Sequence, residues 1–316
     1  MRRPDSHRLV RLGLLALAAV LLVVAFVSGG YLITVLSFAA IYAIFVTGLN
    51  FFMGYAGQVS FGQNAFAAIS GYASAVLTST YDWQPIAALP VGVGLAVIAA
   101  VVVGYPALRL RGHYLAMATL ALGMIVYEVA VEWQSVTQGY MGISGIPPYG
   151  IGRWELVDPR AQLAFLIVVL VIAMAAAWRM KESRFGLALA AIAGSEDAAG
   201  ALGIDAARYK LAAFVIAAVY AALAGSLMAH FVGFISPEVF GLHMVISGFM
   251  MLYVGGIGSI AGPLFGALIV SLLPETFRGF KDYQDLAYGA ALILILIYTP
   301  KGAASLARML PKGRRP

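Results

Sequence analysis

Neutral hydrogen-bonding side chains cluster in one glycine-rich stretch of an otherwise apolar region. The stretch GYAGQVSFGQNAF covers residues 54–66, carries no charge and closely follows Asn50. Amides and hydroxyls at membrane depth either bond to a neighbouring helix or offer neutral hydrogen bonds to a solute. We expect Ser60, Gln63 and Asn64 to share one helix face, because they are three and four residues apart. Both interpretations stay open for the candidate translocation-path residues, which are Asn50, Gln58, Ser60, Gln63 and Asn64.

Other residue types that carry chemistry are sparse. Glu128 and Glu132 fall near one end of a predicted span, where a carboxylate is either functional or an ordinary interfacial charge. The histidines lack the spacing of metal ligands. The sequence also has no cysteine, no GxxxxGK[ST] phosphate-binding motif and no nucleophile–base set. We therefore predict a chain that is not an enzyme, with no catalytic residue, no metal site and no cofactor of its own.

Membrane spans must position these residues. The 316-residue chain is 62% hydrophobic and 11% charged, and its mean hydropathy is +0.92. Asp82 is the only charged residue between Leu12 and Leu108, whereas a soluble domain carries about a quarter charged residues. We predict a single all-α integral membrane domain over 1–316, a polytopic bundle of about 8–10 helices. Full spans are predicted at 9–27, 31–52, 58–79, 86–105, 112–131, 161–178, 210–232 and 285–299.

Two glycine-rich breaks interrupt the predicted helices. The first lies at 54–57, and the second, GGIGSIAGP at 255–263, cuts the apolar stretch 242–274 into two short or re-entrant halves. Non-helical backbone at membrane depth is tolerated where it is buried in protein or lines a water-filled cavity. Two such segments in the two halves of a chain also hint at an internal repeat. The candidate break residues are Gly54, Gly57, Gly255, Gly256, Gly258 and Pro263.

The basic residues predict the orientation, since Lys and Arg in short loops stay on the cytoplasmic side. With both termini in the cytoplasm, 16 of the 20 basic residues fall inside and 4 outside. This layout makes 1–8 and 300–316 cytoplasmic tails, 179–209 a cytoplasmic loop and 132–160 an outer loop. It places the first break at the cytoplasmic end of its span. We expect the first span to be retained, because no clear signal-peptide cleavage site follows it.

The cytoplasmic loop contains a candidate docking helix. A short helix is predicted near 196–202, with Ser195 as its cap, Glu196 and Asp197 in its first turn and Gly203 at its end. This helix is either a solvated connector or a surface that docks onto another protein.

The outer loop contains a second candidate surface. Gly139, Gly142, Gly145 and Pro147 exclude a regular helix there. The segment is either a flexible turn or a shaped surface that meets a partner or gates the path.

Several stretches carry a family resemblance. Asp197, Ala198, Ala199 and Gly203 form a DAAxxxG motif that resembles the EAA-type loop of permease subunits in ATP-binding-cassette importers. More specifically, most of 48–274 resembles the LivM-type permeases of branched-chain amino acid importers. The matching stretches are GLNFFMGYAGQVSFGQNAF, LRLRGHYLAMATLAL, TQGYMGISGIPP, ESRFGLALAAI with EDAAGALGID and YKLAAF, and VGGIGSIAGPLFGA. The chain departs from the family at Ala193, where a basic residue is usual.

The resemblance implies a multi-pass permease subunit in a bacterial inner membrane. Its implied partners are a second, LivH-like permease, two cytoplasmic ATPase subunits that use the ATP, and an extracytoplasmic solute-binding protein. The segment 195–203 would contact the ATPase and the outer loop the binding protein, while leucine, isoleucine and valine cross an uncharged path. Related systems carry urea or short amides. A self-contained secondary transporter is disfavoured because the spans hold almost no coupling charges, and a channel for a small neutral solute is the further alternative.

Overall fold

The computed structural model describes residues 30–151, 154–276, 289–290 and 293–294. The tails 1–8 and 300–316, the predicted span 9–27 and most of the predicted span 285–299 lie outside the described residues. The described chain is a bundle of α-helices joined by short loops.

The helices largely follow the predicted spans. They are α1 (Gly30–Leu49), α2 (Gln63–Ser79), α3 (Pro85–Ala107), α4 (His113–Glu132), α5 (Gln134–Thr137), α6 (Pro159–Lys181), α7 (Arg184–Gly194), α8 (Glu196–Ala201), α9 (Ala206–Val232), α10 (Leu242–Gly255) and α11 (Gly262–Thr276). A π-helical turn at Asn50–Tyr55 extends α1, and 3-10 turns occupy Gly139–Met141 and Pro237–Phe240. Six segments of the described chain are long and apolar enough to cross a membrane. The all-α polytopic fold is thus confirmed, while the total of about 8–10 helices and the side of the termini stay predictions.

Local sequence explains where several helices begin and end. Pro85 and Pro159 open α3 and α6, since a proline in the first turn loses no intrahelical hydrogen bond. The Asp205 carboxylate caps α9 by accepting a hydrogen bond from the Arg208 amide at 3.2 Å. The same helix ends at Gly233, whose φ of +73° suits glycine.

Helix α9 is the centre of the bundle and packs against α1, α2 and α3. Small residues allow this close approach. A Cβ atom added to Gly225 of α9 would lie 2.0 Å from the carbonyl oxygen of Ala67 in α2. A Cβ atom on Gly48 of α1 would lie 2.6 Å from the Cβ of Tyr220. The core therefore depends on contact between helix backbones.

The bundle has two distinct ends, one at each end of α9. Helices α7 and α8 precede α9, and we call this the α8 end. At the other end, the strand end, β1 (Ile143–Ser144) pairs antiparallel with β4 (Phe234–Ile235). There β2 (Gly150–Ile151) and β3 (Trp154–Glu155) form a second antiparallel pair. The segment predicted as an irregular outer loop is thus folded onto the end of the bundle.

The start of α2 was predicted too early. The chain between Gly57 and Gly62 is not helical, and α2 begins at Gln63 rather than at residue 58. Gly57 has a φ of +66°, and a Cβ atom on Gly62 would lie 2.2 Å from the Thr119 carbonyl oxygen. Ser60 therefore precedes the helix, and the expectation that it shares a helix face with Gln63 and Asn64 is wrong. The cause is a close backbone contact with α4, which the local sequence does not reveal.

The second break lies where it was predicted. Helix α10 ends at Gly255 and α11 begins at Gly262, so the stretch 242–274 forms two short helices. Pro263 lies in the first turn of α11, where the lack of an N–H group removes no intrahelical hydrogen bond. Gly54, in contrast, lies inside the π-helical turn, so the first helix continues beyond the point at which a break was expected.

Candidate functional site

The two helix breaks meet at the α8 end, and Asn50 joins them. Its side chain is 1% exposed. The Asn50 amide donates to the Ser259 carbonyl oxygen at 2.7 Å and to the Tyr55 hydroxyl at 3.2 Å, and its Oδ1 accepts from the Gly258 N–H at 2.8 Å. Both polar atoms of this predicted path residue are therefore bound within the protein.

Glycines make this junction possible. A Cβ atom on Gly54 would lie 2.7 Å from the Gly258 nitrogen, and one on Gly255 would lie 1.9 Å from the Gly262 carbonyl oxygen. Gly256 and Gly258 have φ values of +108° and +74°, which disfavour other residues. The Lys181 ammonium, at the end of α6, donates to the Gly258 carbonyl oxygen and lies 4.6 Å from the centre of the Tyr55 ring.

The short helix α8 forms beside this junction with the predicted ends. Ser195 Oγ accepts from the Ala198 N–H at 3.2 Å, as a cap does. Gly203, with a φ of +79°, follows the last turn. Ala199 is buried, whereas Asp197 and Ala198 are exposed and the Leu202 side chain is 80% exposed. The helix thus presents an outer face that includes one large apolar side chain, which the sequence argument missed.

Glu196 connects α8 to two other elements. Its carboxylate accepts from Gln58 Nε2 at 3.1 Å, from the loop before α2. It also accepts from the Lys210 ammonium at 2.9 and 3.1 Å, at the base of α9, and Arg111 lies 3.9 Å away. The side chains of Lys210 and Glu196 are 5% and 21% exposed, so their pairing is largely shielded from solvent. Gln58 was predicted as a path residue, but the structure places it against α8.

Helix α7 also touches the first break. A Cβ atom on Gly57 would lie 3.1 Å from the Cβ of Ala193, near the end of α7. Ala193 is the position at which the chain departs from the family pattern. The structure therefore places Ala193 at the contact between α7 and the first break.

The remaining predicted path residues are buried at the start of α2. Ser60 is fully buried and accepts a long hydrogen bond, 3.5 Å, from the Gly62 N–H. Asn64 Nδ2 donates to the Phe240 carbonyl oxygen at 2.7 Å. Within the described chain, Asn64 Oδ1 and both amide atoms of Gln63 have no hydrogen-bond partner. Buried unpaired amide atoms are costly and uncommon, so they mark this turn as a candidate binding site.

A cavity of about 320 Å³ lies at this turn. Asn64 lines it together with residues from the middle of α4, the 3-10 turn before α10, and the first turn of α10. Tyr127 and the carboxylates Glu128 and Glu238 contribute polar groups, while Leu120 and Val245 contribute apolar ones. Of the two carboxylates in α4, Glu128 is thus beside the cavity, whereas Glu132 is not among its lining residues.

The outer-loop residues adopt a defined conformation. Gly139, Gly142 and Gly145 have φ values of +57°, +68° and +72°. A Cβ atom on Gly142 would lie 2.3 Å from the Ile235 carbonyl oxygen, next to the β1–β4 pair. These glycines therefore permit the tight path of the chain over the strand end.

A buried polar chain that the sequence argument missed holds this loop to the bundle. Pro147 can only accept a hydrogen bond through its carbonyl oxygen, so His230 Nδ1, at 2.7 Å, carries the proton. In the neutral ring, His230 Nε2 then accepts from the Ser74 hydroxyl at 2.7 Å. Ser226 donates to Ser74 at 3.0 Å, and the Tyr149 hydroxyl lies 2.8 Å from Ser226. Burial raises the pKa of the Tyr149 phenol, which keeps it protonated as a donor.

The six long apolar segments of the described chain define a class, namely a multi-pass membrane protein. Among the described residues, no group of three or more His, Asp or Glu side chains is arranged to hold a metal ion. The chain belongs to the family described as the permease component of branched-chain amino acid transport systems, whose sequence model matches residues 31–299.

Individual relatives agree with this assignment. The chain is 32% identical to the high-affinity branched-chain amino acid transport system permease protein LivM of Escherichia coli K12, over 85% of this chain and 68% of the relative. It is 30% identical to LivM of Salmonella typhimurium LT2, over 94% of this chain and 76% of the relative. It is 28% identical to the permease protein LivH of E. coli K12, over 83% of this chain and 90% of the relative. No solved structure shows a significant match.

Proposed function

We propose that the chain is one of two permease subunits in an ATP-driven importer of leucine, isoleucine and valine. The similarity to both LivM and LivH proteins supports a pair of related permeases. The other components would be two cytoplasmic ATPase subunits, which bind the ATP, and an extracytoplasmic solute-binding protein. The machine would sit in the inner membrane of a bacterium. The basic residues support an orientation with the α8 end in the cytoplasm.

The observation that carries this proposal is the position of Glu196. An ATPase that docks on the exposed face of α8 would displace Ser195–Gly203 when it binds and hydrolyses ATP. Glu196 bonds to Gln58 before α2 and to Lys210 at the base of α9, so it would pass that displacement to both elements. Because α9 is the centre of the bundle, a small shift at its base would reorient the permease pair between outward- and inward-facing states.

The strand end would receive the loaded binding protein. Gly139, Gly142, Gly145 and Pro147 lie in a folded segment anchored through His230 and the β1–β4 pair. An anchored surface suits docking, because ordering it on binding costs little entropy. Selectivity among small solutes would reside mainly in the binding protein, while the permease path would be permissive.

Reconstitution tests the proposal directly. The chain is co-expressed with a LivH-like permease, two ATPase subunits and the binding protein from one operon, and the complex is placed in liposomes. We expect uptake of radiolabelled leucine to require both ATP and the binding protein. Liposomes with this chain alone are the control. Solute movement in that control would instead support a secondary transporter or a channel, and uptake of urea but not leucine would support the amide-transporting alternative.

A further inference from the structure

The cavity beside Asn64 lies between α4 and the first turn of α10 and opens at the surface of the described chain, where Glu128 and Glu238 are exposed. A Cβ atom on Gly123, half-way along α4, would lie 2.6 Å from Asn64 Oδ1. Leu120, Gly123, Tyr127 and their neighbours lie three or four residues apart, so one face of α4 forms one wall. Transporters built from interrupted helices commonly bind substrate near the bilayer midplane. The inner wall of the cavity, at Gly123, lies half-way along α4, which is the position expected of such a site.

An unpaired hydrogen-bond acceptor is buried in the wall of this cavity. Asn64 is 3% exposed, and its Nδ2 is held by the Phe240 carbonyl oxygen, which fixes the orientation of the amide. Its Oδ1 has no partner among the described residues. An occupant that donates a hydrogen bond would satisfy this atom and remove the cost of leaving it unpaired.

The charges around the cavity favour a cation at one side. Glu128 and Glu238 both line it, and neither has an ion-pair partner among the described residues. The described lining includes no Lys or Arg. Carboxylates within membrane spans normally face a protein partner or a water-filled pathway. An ammonium group placed between these carboxylates and Asn64 Oδ1 would gain charge-assisted hydrogen bonds.

An anionic group on the same occupant would bind at the first turn of α10. Gly241, Leu242 and Val245 line the cavity, and no side chain caps this 14-residue helix. The first N–H groups of a helix lack intrahelical partners and, with the helix dipole, favour an anion such as a carboxylate. The cavity thus offers a negative side and a positive side.

Apolar groups complete the walls. Leu120, Met124 and Val245 suit an aliphatic side chain, and the volume of about 320 Å³ is at the small end of ligand pockets. Urea has neither a separated pair of charges nor an aliphatic side chain, so it would leave these groups unused.

We infer that this cavity is a transit site for the zwitterion of an aliphatic amino acid. The α-ammonium group binds Asn64 Oδ1, Glu128 and Glu238, and the α-carboxylate binds the N-terminus of α10. The aliphatic side chain contacts α4 and Val245. This assignment rests on the proposed import function and names the residues that recognise the solute within the permease.

The charge arm of the test uses the whole reconstituted importer and radiolabelled leucine. In the double variant Glu128→Gln/Glu238→Gln, we expect maximal uptake at saturating binding protein to fall about tenfold. The concentration of binding protein that gives half-maximal uptake stays unchanged, because the outer surface is intact. Glu132→Gln is the matched control, since Glu132 is on the same helix one turn further on and does not line the cavity. Equal loss in the control, or no loss in the double variant, overturns the assignment.

A second test reduces the volume of the cavity with the variant Gly123→Ala. Its new methyl group displaces the Asn64 amide and fills the cavity, so we expect maximal uptake to fall several-fold at least. Gly94→Ala in α3 is the control, since a Cβ atom there meets nothing within 4 Å. Size-exclusion profiles and basal ATPase activity report whether each variant assembles, and a Gly123→Ala variant that fails to assemble is replaced by Leu120→Phe, which narrows the cavity from its apolar wall.

The two proposals fail in different ways. If the wild-type complex imports leucine and all cavity variants match it, the transit site is wrong and the import function stands. If the wild-type complex imports no aliphatic amino acid, both proposals fall together.

Discussion

The junction at the α8 end and the cavity at mid-span differ in how their buried amides are used. Both polar atoms of the Asn50 side chain form hydrogen bonds with the second break, whereas Asn64 Oδ1 is unpaired beside a cavity. The junction gains an ion pair as well, through Glu196 and Lys210. A saturated polar network resists deformation and moves as a unit, while an unsaturated one is ready for a ligand. The comparison assigns mechanical transmission to the junction and solute contact to the cavity.

The largest loss of stability is expected for Asn50→Leu. The change leaves the partly buried Gly258 N–H and Ser259 carbonyl and the Tyr55 hydroxyl without their partner, which together costs about 3 kcal/mol. We expect the melting temperature of the purified complex to fall sharply and the yield with it. A variant as stable as the wild type would show that the two breaks do not depend on Asn50.

A smaller loss is expected for Glu196→Gln. The nearly buried Lys210 ammonium keeps a hydrogen-bond acceptor but loses its anion, which costs about 2 kcal/mol. We also expect more ATP to be hydrolysed per leucine imported, because α8 holds α9 and the Gln58 loop less firmly. The ratio of ATPase activity to uptake measures this, with Glu155→Gln at the strand end as the control. An unchanged ratio would remove Glu196 from the coupling path.

The third largest loss of stability is expected for Gly203→Leu. A leucine at a φ of +79° costs about 1 kcal/mol, and relaxation of this strain displaces the end of α8. Uptake should drop several-fold while ATP hydrolysis continues. Full uptake in this variant would count against docking of an ATPase at α8.

The smallest loss of stability is expected for Asn64→Leu, the counterpart of Asn50→Leu. The buried Phe240 carbonyl loses its donor, but the unpaired Asn64 Oδ1 disappears, so these two costs offset and the net change is about 1 kcal/mol. Uptake should nevertheless fall, because the solute loses a partner. A melting temperature as low as that of Asn50→Leu would erase the distinction between the two regions.

The sequence predicted the features that depend on neighbouring residues. Ser195 as a cap and Gly203 as a helix end follow from local backbone chemistry, and the split at 255–262 follows from its glycines. The bond between Gln58 and Glu196 joins residues 138 positions apart, and the His230–Pro147 bond joins residues 83 apart. Such partners depend on how the helices pack, so local spacing could not identify them. The same reason explains the early start predicted for α2, since the contact of Gly62 with α4 is not local.

A cross-linking experiment tests the central claim that Glu196 transmits the motion of α8 to the loop before α2. The chain has no native cysteine, so in the double variant Gln58→Cys/Glu196→Cys a short thiol-reactive cross-linker can join only these two positions within the chain. The account predicts poor leucine uptake per ATP hydrolysed before cross-linking and substantial recovery after it, with no recovery in Glu196→Cys alone. Uptake that is normal before cross-linking, or that stays low after it, would contradict the account.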